Sequence, residues 1–233
     1  MSNKTNTANT LQYKGVSCRY KPHETDVLEN ISTEIPSAQI TGIIGPNGAG
    51  KSTLIKATLD LIPYQGKITK PDNIAYIPQR KDIDWDFPIS ALDVCLMGLY
   101  PQIGWLKRIK KEHKAKALEM LEHVKLADKA HSPIGTLSGG QQQRVFMARA
   151  LIQDADLFLL DEPMVGIDAK TQELLFEIFQ QLKKQNKTIV IVHHNLITAQ
   201  NHFDHVILLN KSIIATGPPE QALMSENLNQ AYQ

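Results

Sequence analysis

The stretch ITGIIGPNGAGKST, residues 40–53, decides the fold class of this chain. Its first part, ITGII, lacks the polar alternation of a half-exposed strand and therefore predicts a strand buried on both faces. The run STLIKATLDLI at its other end predicts a helix. Between them, GPNGAGKST (45–53) matches the pattern G-x-x-x-x-G-K-[ST]. A strand, a glycine-rich loop and a helix in this order predict a phosphate-binding loop.

The residue types of this loop suit a bound nucleotide. Glycines let successive backbone N–H groups point inward at phosphate oxygens, and the following helix adds the positive end of its dipole. Lys51 can reach the β- and γ-phosphates, and the Ser52 hydroxyl can ligate Mg²⁺. The alternative is a glycine-rich turn with a surface lysine, which chance would produce in roughly one such chain in a hundred. The predicted ATP-binding residues of the loop are Gly45, Pro46, Asn47, Gly48, Ala49, Gly50, Lys51, Ser52 and Thr53.

The composition excludes several classes of protein. The 233 residues, 42% of them hydrophobic, suffice for one substantial core with a subdomain. A formal net charge of +1 is less basic than that of a dedicated nucleic-acid binder, so no nucleic-acid partner is expected. Cys18 and Cys95 lie far apart and form no CxxC pattern, which favours a reducing compartment. No apolar run is long enough to predict a membrane-spanning helix, so any link to a membrane must run through a partner.

Two further apolar runs predict buried strands like the first. They are DLFLLDE (156–162) and KTIVIVHH (187–194), and each is followed by a helical pattern. Strands that alternate with helices predict an α/β fold with a parallel sheet. Residues from about 90 to 152 have a helical period instead, as in KEHKAKALEMLEHVKLADKA, and predict a mostly helical insert.

The polar ends of the chain suggest its domain organisation. Residues 1–10 are expected to be a disordered N-terminus. Residues 11–224 are expected to form one domain, with the helical subdomain of about 90–152 inserted in its core. Residues 225–233 are expected to be a polar C-terminal tail, disordered or loosely attached.

An acidic pair ends the second of these strands. In LFLLDEP (157–163) it lies at the edge of the sheet where open α/β folds bind ligands. Asp161 would hold Mg²⁺, and Glu162 can orient or deprotonate the attacking water. The alternative interpretation is an ordinary acidic boundary between a strand and a loop. The presence of a phosphate loop in the same chain favours the functional interpretation.

The segment TLSGGQQQRVFMARALIQDA (136–155) narrows the class of protein. Ser138 and Gln141 have the spacing of a helix capping box, and a well-capped helix is the simplest interpretation. The two glycines inside the box also clear the backbone for the close approach of an anion. One ATP within one subunit does not need a second phosphate-binding helix terminus. We infer that this one serves the ATP of a second copy of the chain.

LSGGQ, at 137–141, resembles the signature motif of the ATP-binding subunits of ABC transporters, and the resemblance runs from about residue 11 to residue 220. It implies a phosphate-loop (RecA-like) core with a mostly parallel sheet, an N-terminal antiparallel β part and the inserted helical subdomain. It also implies a head-to-tail homodimer with two ATPs, each held between the phosphate loop of one copy and the signature of the other. The signature residues are Ser138, Gly139, Gly140 and Gln141.

Other motifs of the family match individual residues here. Tyr20 resembles the aromatic that stacks on adenine, and Gln79 in IPQR resembles the glutamine that senses Mg²⁺ and the attacking water. Asp168 in VGID is similar to the aspartate that communicates across the dimer. In the switch motif of this family, a histidine directly precedes an aspartate. In HHNL (193–196), Asn195 stands at the aspartate position, so His194 is the candidate for the switch histidine and His193 would be its structural neighbour.

The acidic and aromatic stretch KDIDWDFPIS (81–90) has three interpretations. A calcium loop counted from Asp82 would need glycine where Phe87 stands, so that interpretation fails. A loop with solvated acids and one buried aromatic remains possible. The resemblance favours a third interpretation, because this junction lines the groove that receives a short helix of the membrane subunit. The docking residues would be Trp85, Asp86 and Phe87.

Finally, IPQRKDIDWDFPISALDVCLMGLY (77–100), GW at 104–105 and EPMVGIDAKTQ (162–172) resemble the branch that energises manganese, zinc or iron uptake. The resemblance implies an ATPase with the cofactors ATP and Mg²⁺ that powers import of a divalent metal, manganese first. It implies two transmembrane permease subunits, an extracytoplasmic metal-binding protein and a place on the cytoplasmic face of the cell membrane. An importer of another nutrient, a non-transport ABC ATPase and a phosphate-loop kinase are the alternatives.

Overall fold

A computed structural model describes residues 10–20, 25–104 and 107–233. Nearly all of the segment expected to be a disordered N-terminus, residues 1–9, lies outside this description. Within the described residues the strands, in chain order, are β1 (Leu11–Cys18), β2 (Leu28–Ile35), β3 (Ile40–Ile44), β4 (Gln65–Thr69), β5 (Ile74–Ile77), β6 (Leu157–Asp161), β7 (Thr188–Val192), β8 (His205–Asn210) and β9 (Ser212–Gly217).

The α-helices lie mainly between and after these strands. In chain order they are α1 (Lys51–Thr58), α2 (Ala91–Met97), α3 (Tyr100–Ile103), α4 (Lys111–His123), α5 (Gly139–Leu151), α6 (Ala169–Lys184), α7 (Leu196–His202), α8 (Pro219–Ala222) and α9 (Ser225–Tyr232). No helix in the described part of the chain is long and apolar enough to cross a membrane.

The main sheet has the strand order β5-β6-β7-β3-β8-β9. Strands β5, β6, β7, β3 and β8 run parallel, and β9 pairs antiparallel with β8 at one edge. Every residue of β3, β6 and β7 is buried. Side chains of one strand alternate between two hydrophobic clusters: Leu157 and Leu159 belong to one, Phe158 and Leu160 to the other. Because both faces are covered, these strands are apolar at every position, as the sequence predicted.

One face of this sheet is covered by α1 and a second, antiparallel sheet of order β2-β1-β4. The Tyr13 hydroxyl of β1 hydrogen-bonds the Thr58 hydroxyl of α1 at 2.8 Å, which fixes the small sheet against the helix. The fold is therefore α/β, with a mostly parallel sheet and an N-terminal antiparallel part. These are the sheets that the resemblance implied.

Helices α2 to α5 occupy residues 91–151 and share the other hydrophobic cluster with the main sheet. On α4, Ala117 and Leu121 are fully buried, followed by Val124, in the i, i+4, i+7 spacing of a helical face. On α5, Val145 and Ala148 are buried in the same way.

The C-terminal segment differs from its prediction. Residues 225–233 were expected to be a loosely attached polar tail, but Ser225–Tyr232 forms the helix α9. Ala231 is fully buried and Leu228 packs against the main cluster. The Asn210 side chain of β8 donates to the Ala231 carbonyl at 3.0 Å. Burial of the apolar positions of α9 against the sheet edge therefore holds this segment in place.

Candidate functional site

The glycine-rich loop connects the end of β3 to the start of α1, as the sequence predicted. Two of its glycines need left-handed backbone: Gly48 has φ +84° and Gly50 has φ +92°. A Cβ on Gly50 would lie 2.5 Å from the Leu28 side chain, whereas one on Gly48 would meet nothing within 4 Å. Gly50 is therefore required by packing. Gly48 lets the backbone turn at an open surface, where a ligand can approach the N–H groups.

The ammonium group of Lys51 lies inside this loop. Its Nζ donates to the carbonyl oxygens of Gly45 at 2.8 Å and Pro46 at 2.7 Å, and the residue is 6% exposed. Burial lowers the pKa of Lys51, while the nearby carboxyls of Glu162 and Asp161 oppose that shift. The loop thus holds a cation at its centre, where phosphate oxygens would bind.

Three side chains from three elements meet beside the loop. Ser52 Oγ donates to Asp161 Oδ1 at 3.0 Å. Gln79 follows β5, and its Nε2 donates to Ser52 Oγ at 2.9 Å and to Asp161 Oδ1 at 3.1 Å. These are the three residues predicted from the sequence to hold Mg²⁺.

The other carboxylate oxygen of Asp161 supports the fit of this trio to a cation. Asp161 is fully buried, and its Oδ2 has no hydrogen-bond partner among the described residues. Burial raises the pKa of Asp161, and the hydrogen bonds from Ser52 and Gln79 oppose this shift. An unpartnered buried oxygen next to a hydroxyl and an amide is a set of hard donors that suits Mg²⁺.

Glu162 follows directly, and its backbone is strained. Its φ of +53° is left-handed, a conformation that costs a non-glycine residue about 1–2 kcal/mol. The Glu162 N–H donates to the Val192 carbonyl of β7 at 3.2 Å, which holds the turn. The side chain lines the same cavity as Lys51, Ser52 and Gln79. The strained residue thus lies at the candidate site, where strain of this kind can be part of a mechanism.

Lys51, Ser52, Gln79 and Glu162 share one cavity of about 490 Å³. At its outer end the Tyr20 hydroxyl hydrogen-bonds the Thr53 hydroxyl at 3.0 Å, and Tyr20 is 52% exposed. Val27 and Lys81 also line the cavity, and the sequence did not predict either. The cavity is lined by Tyr20, Val27, Asn47, Gly48, Ala49, Gly50, Lys51, Ser52, Thr53, Gln79, Lys81 and Glu162.

The two histidines after β7 have different environments. His193 is 5% exposed, and neither ring nitrogen has a hydrogen-bond partner among the described residues. Burial, followed by the neighbouring His194 and His202, lowers the pKa of His193 to about 4. His194 is exposed and is not among the residues that line the cavity. The prediction that His194 acts on the phosphate therefore requires a ligand or a second subunit to bring the groups together.

The signature segment forms the capping box that the sequence predicted. The Ser138 N–H donates to Gln141 Oε1 at 2.8 Å, and Ser138 Oγ accepts from the Gln141 N–H at 3.3 Å. A Cβ on Gly140 would lie 3.2 Å from Oδ2 of Asp168, which caps α6. Of the described residues that line the cavity, none belongs to the signature.

Comparisons with known proteins agree with this geometry. The sequence pattern of the family described as "ABC transporter" matches residues 28–165, which include the phosphate loop, Gln79, the signature and the acidic pair. The chain belongs to the ABC transporter family. It is 48% identical over 219 residues to the manganese transport system ATP-binding protein MntB of Bacillus subtilis (strain 168), covering 90% of this chain and 88% of that protein. It is 43% identical over 235 residues to the zinc transport system ATP-binding protein TroB of Treponema pallidum (strain Nichols), covering 97% and 88%.

Two solved structures of ABC proteins have the same fold as this ABC ATPase. A metal-chelate type ABC transporter in an inward-facing conformation has a TM-score of 0.86 at 28% identity, covering 95% of this chain and 88% of that chain. A dimeric ATP-binding cassette with bound ADP and Pi has a TM-score of 0.79 at 26% identity, covering 90% and 98%. The chain is thus a nucleotide-binding ABC ATPase of the kind that works with a membrane permease.

The acidic and aromatic stretch of the ABC ATPase has one aromatic turned inward and one turned outward. Trp85 packs edge-on against Phe146 of α5, with ring centroids 5.5 Å apart. Phe87 is 58% exposed. Beside it lies a groove of about 200 Å³, lined by Ile83, Asp84, Phe87, Ile89, Val94, Met97, Ile134, Phe146 and Arg149. No group of three or more His, Cys, Asp or Glu side chains in the described residues could hold a metal ion.

We predict that Asp161→Asn stabilises the nucleotide-free protein while it abolishes ATP hydrolysis. The raised pKa of Asp161 means that burying its ionised carboxylate costs free energy in the folded state at neutral pH. A neutral amide of the same shape avoids this desolvation cost. The free energy of unfolding in urea, with EDTA present, should rise by about 1 kcal/mol at pH 8. The gain should shrink as the pH falls through the raised pKa, because protonated Asp161 is also neutral.

Asp72→Asn, at an exposed position, is the matched control. It should change neither the free energy of unfolding nor the rate of ATP hydrolysis. A loss of stability in Asp161→Asn at pH 8 would contradict the proposed cost of burying this carboxylate.

We also predict that His193 makes the protein acid-sensitive. Below pH 6.5 the unfolded chain binds a proton at this position that the folded protein binds only near pH 4, so stability falls through that window. Between pH 7 and pH 5 the contribution is about 2 kcal/mol. Urea denaturation of His193→Phe should therefore show a flatter pH dependence than the wild type. His131→Phe, at an exposed histidine, should retain the wild-type slope; equal slopes in all three proteins would rule the effect out.

Proposed function

We propose that this ABC ATPase powers the import of a divalent transition metal, manganese first, then zinc or iron. The observation that carries the cargo assignment is the near full-length similarity to ATP-binding proteins of manganese and zinc transport systems. Because both relatives are matched over almost their whole length, the similarity includes the docking stretch as well as the nucleotide site. ATP hydrolysis itself follows from membership of the family.

In the proposed cycle, ATP closes two copies of the chain head to tail. The phosphate loop and Lys51 of one copy bind the phosphates, and Tyr20 stacks on the adenine. Ser138, Gly139, Gly140 and Gln141 of the other copy bind the γ-phosphate through the N-terminus of α5. Two observations support this arrangement: the signature forms the N-terminus of α5, and it does not line the cavity of its own copy among the described residues.

Hydrolysis would use the carboxyl group at the strained turn. Glu162 orients and deprotonates the attacking water, and His194 donates a hydrogen bond to the γ-phosphate in the closed dimer. Ser52, Gln79 and Asp161 would hold Mg²⁺, which supplies positive charge to the β- and γ-phosphate oxygens. Asp168, at the start of α6, would transmit the state of one site to the other from its place beside the signature, where a Cβ added to Gly140 would lie 3.2 Å from Asp168 Oδ2.

The proposed assembly contains two copies of this chain, two transmembrane permease subunits and an extracytoplasmic metal-binding protein. The chain would lie on the cytoplasmic face of the cell membrane, attached through the permease. A short permease helix would enter the groove beside Phe87. Exposed Phe87 and Met97 supply apolar contact there, and Asp84 is the acidic residue that lines the groove. Asp86, the acid expected from the sequence to dock, is exposed next to Phe87.

The cargo assignment predicts that Glu162→Gln abolishes uptake of one metal in cells. The substitution removes the base without changing side-chain size, so ATP should still bind while hydrolysis falls at least about a hundredfold. Uptake of labelled manganese, zinc and iron is measured against the wild type, with expression checked by immunoblot. Selective loss of manganese uptake supports the proposal; unchanged uptake of all three metals would contradict the assignment to a metal importer.

The docking assignment predicts different effects for the two aromatics. Phe87→Ala should leave the free energy of unfolding within about 0.5 kcal/mol of the wild type, because the ring is exposed. It should nevertheless weaken copurification of the permease about tenfold and reduce uptake. Trp85→Ala should lower stability as well, because its ring packs on Phe146. Tyr232→Ala, at an exposed aromatic of α9, is the control; an equal loss in that variant would contradict docking at the groove.

A further inference from the structure

We propose that Arg80 is a positioning residue that joins the nucleotide cavity to the signature helix. Gln79 and Arg80 are adjacent, but their side chains bind different parts of the molecule. Gln79 binds Ser52 and Asp161 in the cavity, whereas Arg80 binds α5. The proposal concerns how ATP hydrolysis is controlled, so it rests on the proposed cycle but not on the identity of the cargo.

The guanidinium of Arg80 is held at the first turn of α5. Its Nη2 donates to Gln142 Oε1 at 2.8 Å. Gln142 is 4% exposed, and its own Nε2 donates to the Ile134 carbonyl at 3.1 Å, so the acceptor is fixed. A Cβ on Gly139 would lie 2.6 Å from Arg80 Nη1. The absence of a side chain at the first helical residue of the signature therefore makes room for this guanidinium.

The same guanidinium also lies near the turn that follows Glu162. A Cβ on Gly166 would lie 3.6 Å from Arg80 Nη1. Gly166 stands between Glu162 and Asp168 and has a left-handed φ of +73°. Arg80 thus lies where the segment after Gln79, the signature and the turn before α6 meet.

A second link runs through Trp85. The Arg80 carbonyl accepts a hydrogen bond from Trp85 Nε1 at 2.9 Å, and the guanidinium lies 5.5 Å from the centroid of the Trp85 ring. Trp85 packs against Phe146 of α5. Gln142 and Phe146 are four residues apart on one face of this helix, so Arg80 is tied to that face at two successive turns.

The electrostatics of this position indicate a role beyond local stability. A cation at a helix N-terminus faces the positive end of the helix dipole, which is unfavourable. No carboxylate forms a salt bridge with Arg80 in the described part of the chain. The guanidinium stays there through a neutral amide and an aromatic ring. Such an arrangement adds positive charge beside the signature and couples it to Gln79 through one peptide unit.

The experiment compares Arg80→Ala and Arg80→Lys in the purified full chain, with Arg108→Ala as the control at an exposed arginine. We expect Arg80→Ala to lower kcat for ATP at least tenfold while KM changes less than threefold, because the phosphate loop is intact and the signature is misplaced. Arg80→Lys should recover part of kcat, since it keeps the charge and one hydrogen bond but not the planar fork. Arg108→Ala should keep both parameters within twofold.

Two further readouts separate positioning from simple loss of stability. In a Trp105→Phe background Trp85 is the single tryptophan, and its emission should change on addition of ATP unless Arg80 is replaced by alanine. Combining Arg80→Ala with Gln142→Ala should give no larger loss of kcat than Arg80→Ala alone, because both remove the same link.

The proposal is overturned if Arg80→Ala keeps kcat within twofold, or if its Trp85 response to ATP is unchanged. Multiplying losses in the double variant would also overturn it. A wrong cargo assignment would alter metal uptake without changing any of these three measurements, so the two failures are distinguishable.

Discussion

The Gln79 side chain, which donates to Ser52 Oγ and Asp161 Oδ1, joins three elements at one point. Ser52 stands in the first turn of α1, Asp161 at the end of β6, and Gln79 just after β5. The parallel arrangement of the strands brings these ends to the same edge of the sheet. The phosphate loop, the acidic pair and the signature helix are all positioned relative to this point.

The same cluster is a site where stability and function oppose each other. The buried Asp161 carboxylate has one oxygen without a partner in the described residues, the Lys51 ammonium is desolvated, and Glu162 adopts a left-handed backbone. Each feature costs free energy in the empty protein, and the rigid strands around it maintain it. In the proposed function, phosphate oxygens would meet the Lys51 ammonium and a divalent cation would meet the unpartnered Asp161 oxygen. Binding then stabilises the folded state by mass action.

Much of this arrangement could be predicted from sequence because its causes are local. Apolar runs such as ITGII predict strands covered on both faces, and Ser138 with Gln141 predicts a capping box, since each depends on a few neighbouring residues. The contribution of Val27 to the cavity could not be predicted, because it depends on how the small sheet lies over the loop. The helix α9 could have been predicted in part: Leu228 and Ala231 have the i, i+3 spacing of one helical face.

Other features depended on tertiary packing that no motif encodes. The stretch KDIDWDFPIS presented two aromatics of equal standing, yet the Trp85 ring faces α5 while Phe87 faces solvent. The difference arises because the Trp85 ring packs against Phe146, which lies about sixty residues further along the chain. The roles of the site residues stay predictions, since they concern a closed dimer and an assembly with a permease. The domain boundaries stay predictions too, except that the C-terminal segment forms the packed helix α9.

A neutral amide at position 79 has a physical consequence that a charged residue would not have. A lysine or arginine there would form a permanent ion pair with buried Asp161, and breaking such a pair leaves an uncompensated buried charge. An amide hydrogen bond contributes only about 0.5–1.5 kcal/mol net, so a ligand can replace it. Gln79 can therefore exchange Asp161 for a ligand at small cost. Arg80, which is always charged and forms a planar fork, suits the opposite requirement of a fixed attachment to α5. The proposed coupling between the cavity and α5 therefore combines an exchangeable contact at Gln79 with a fixed one at Arg80.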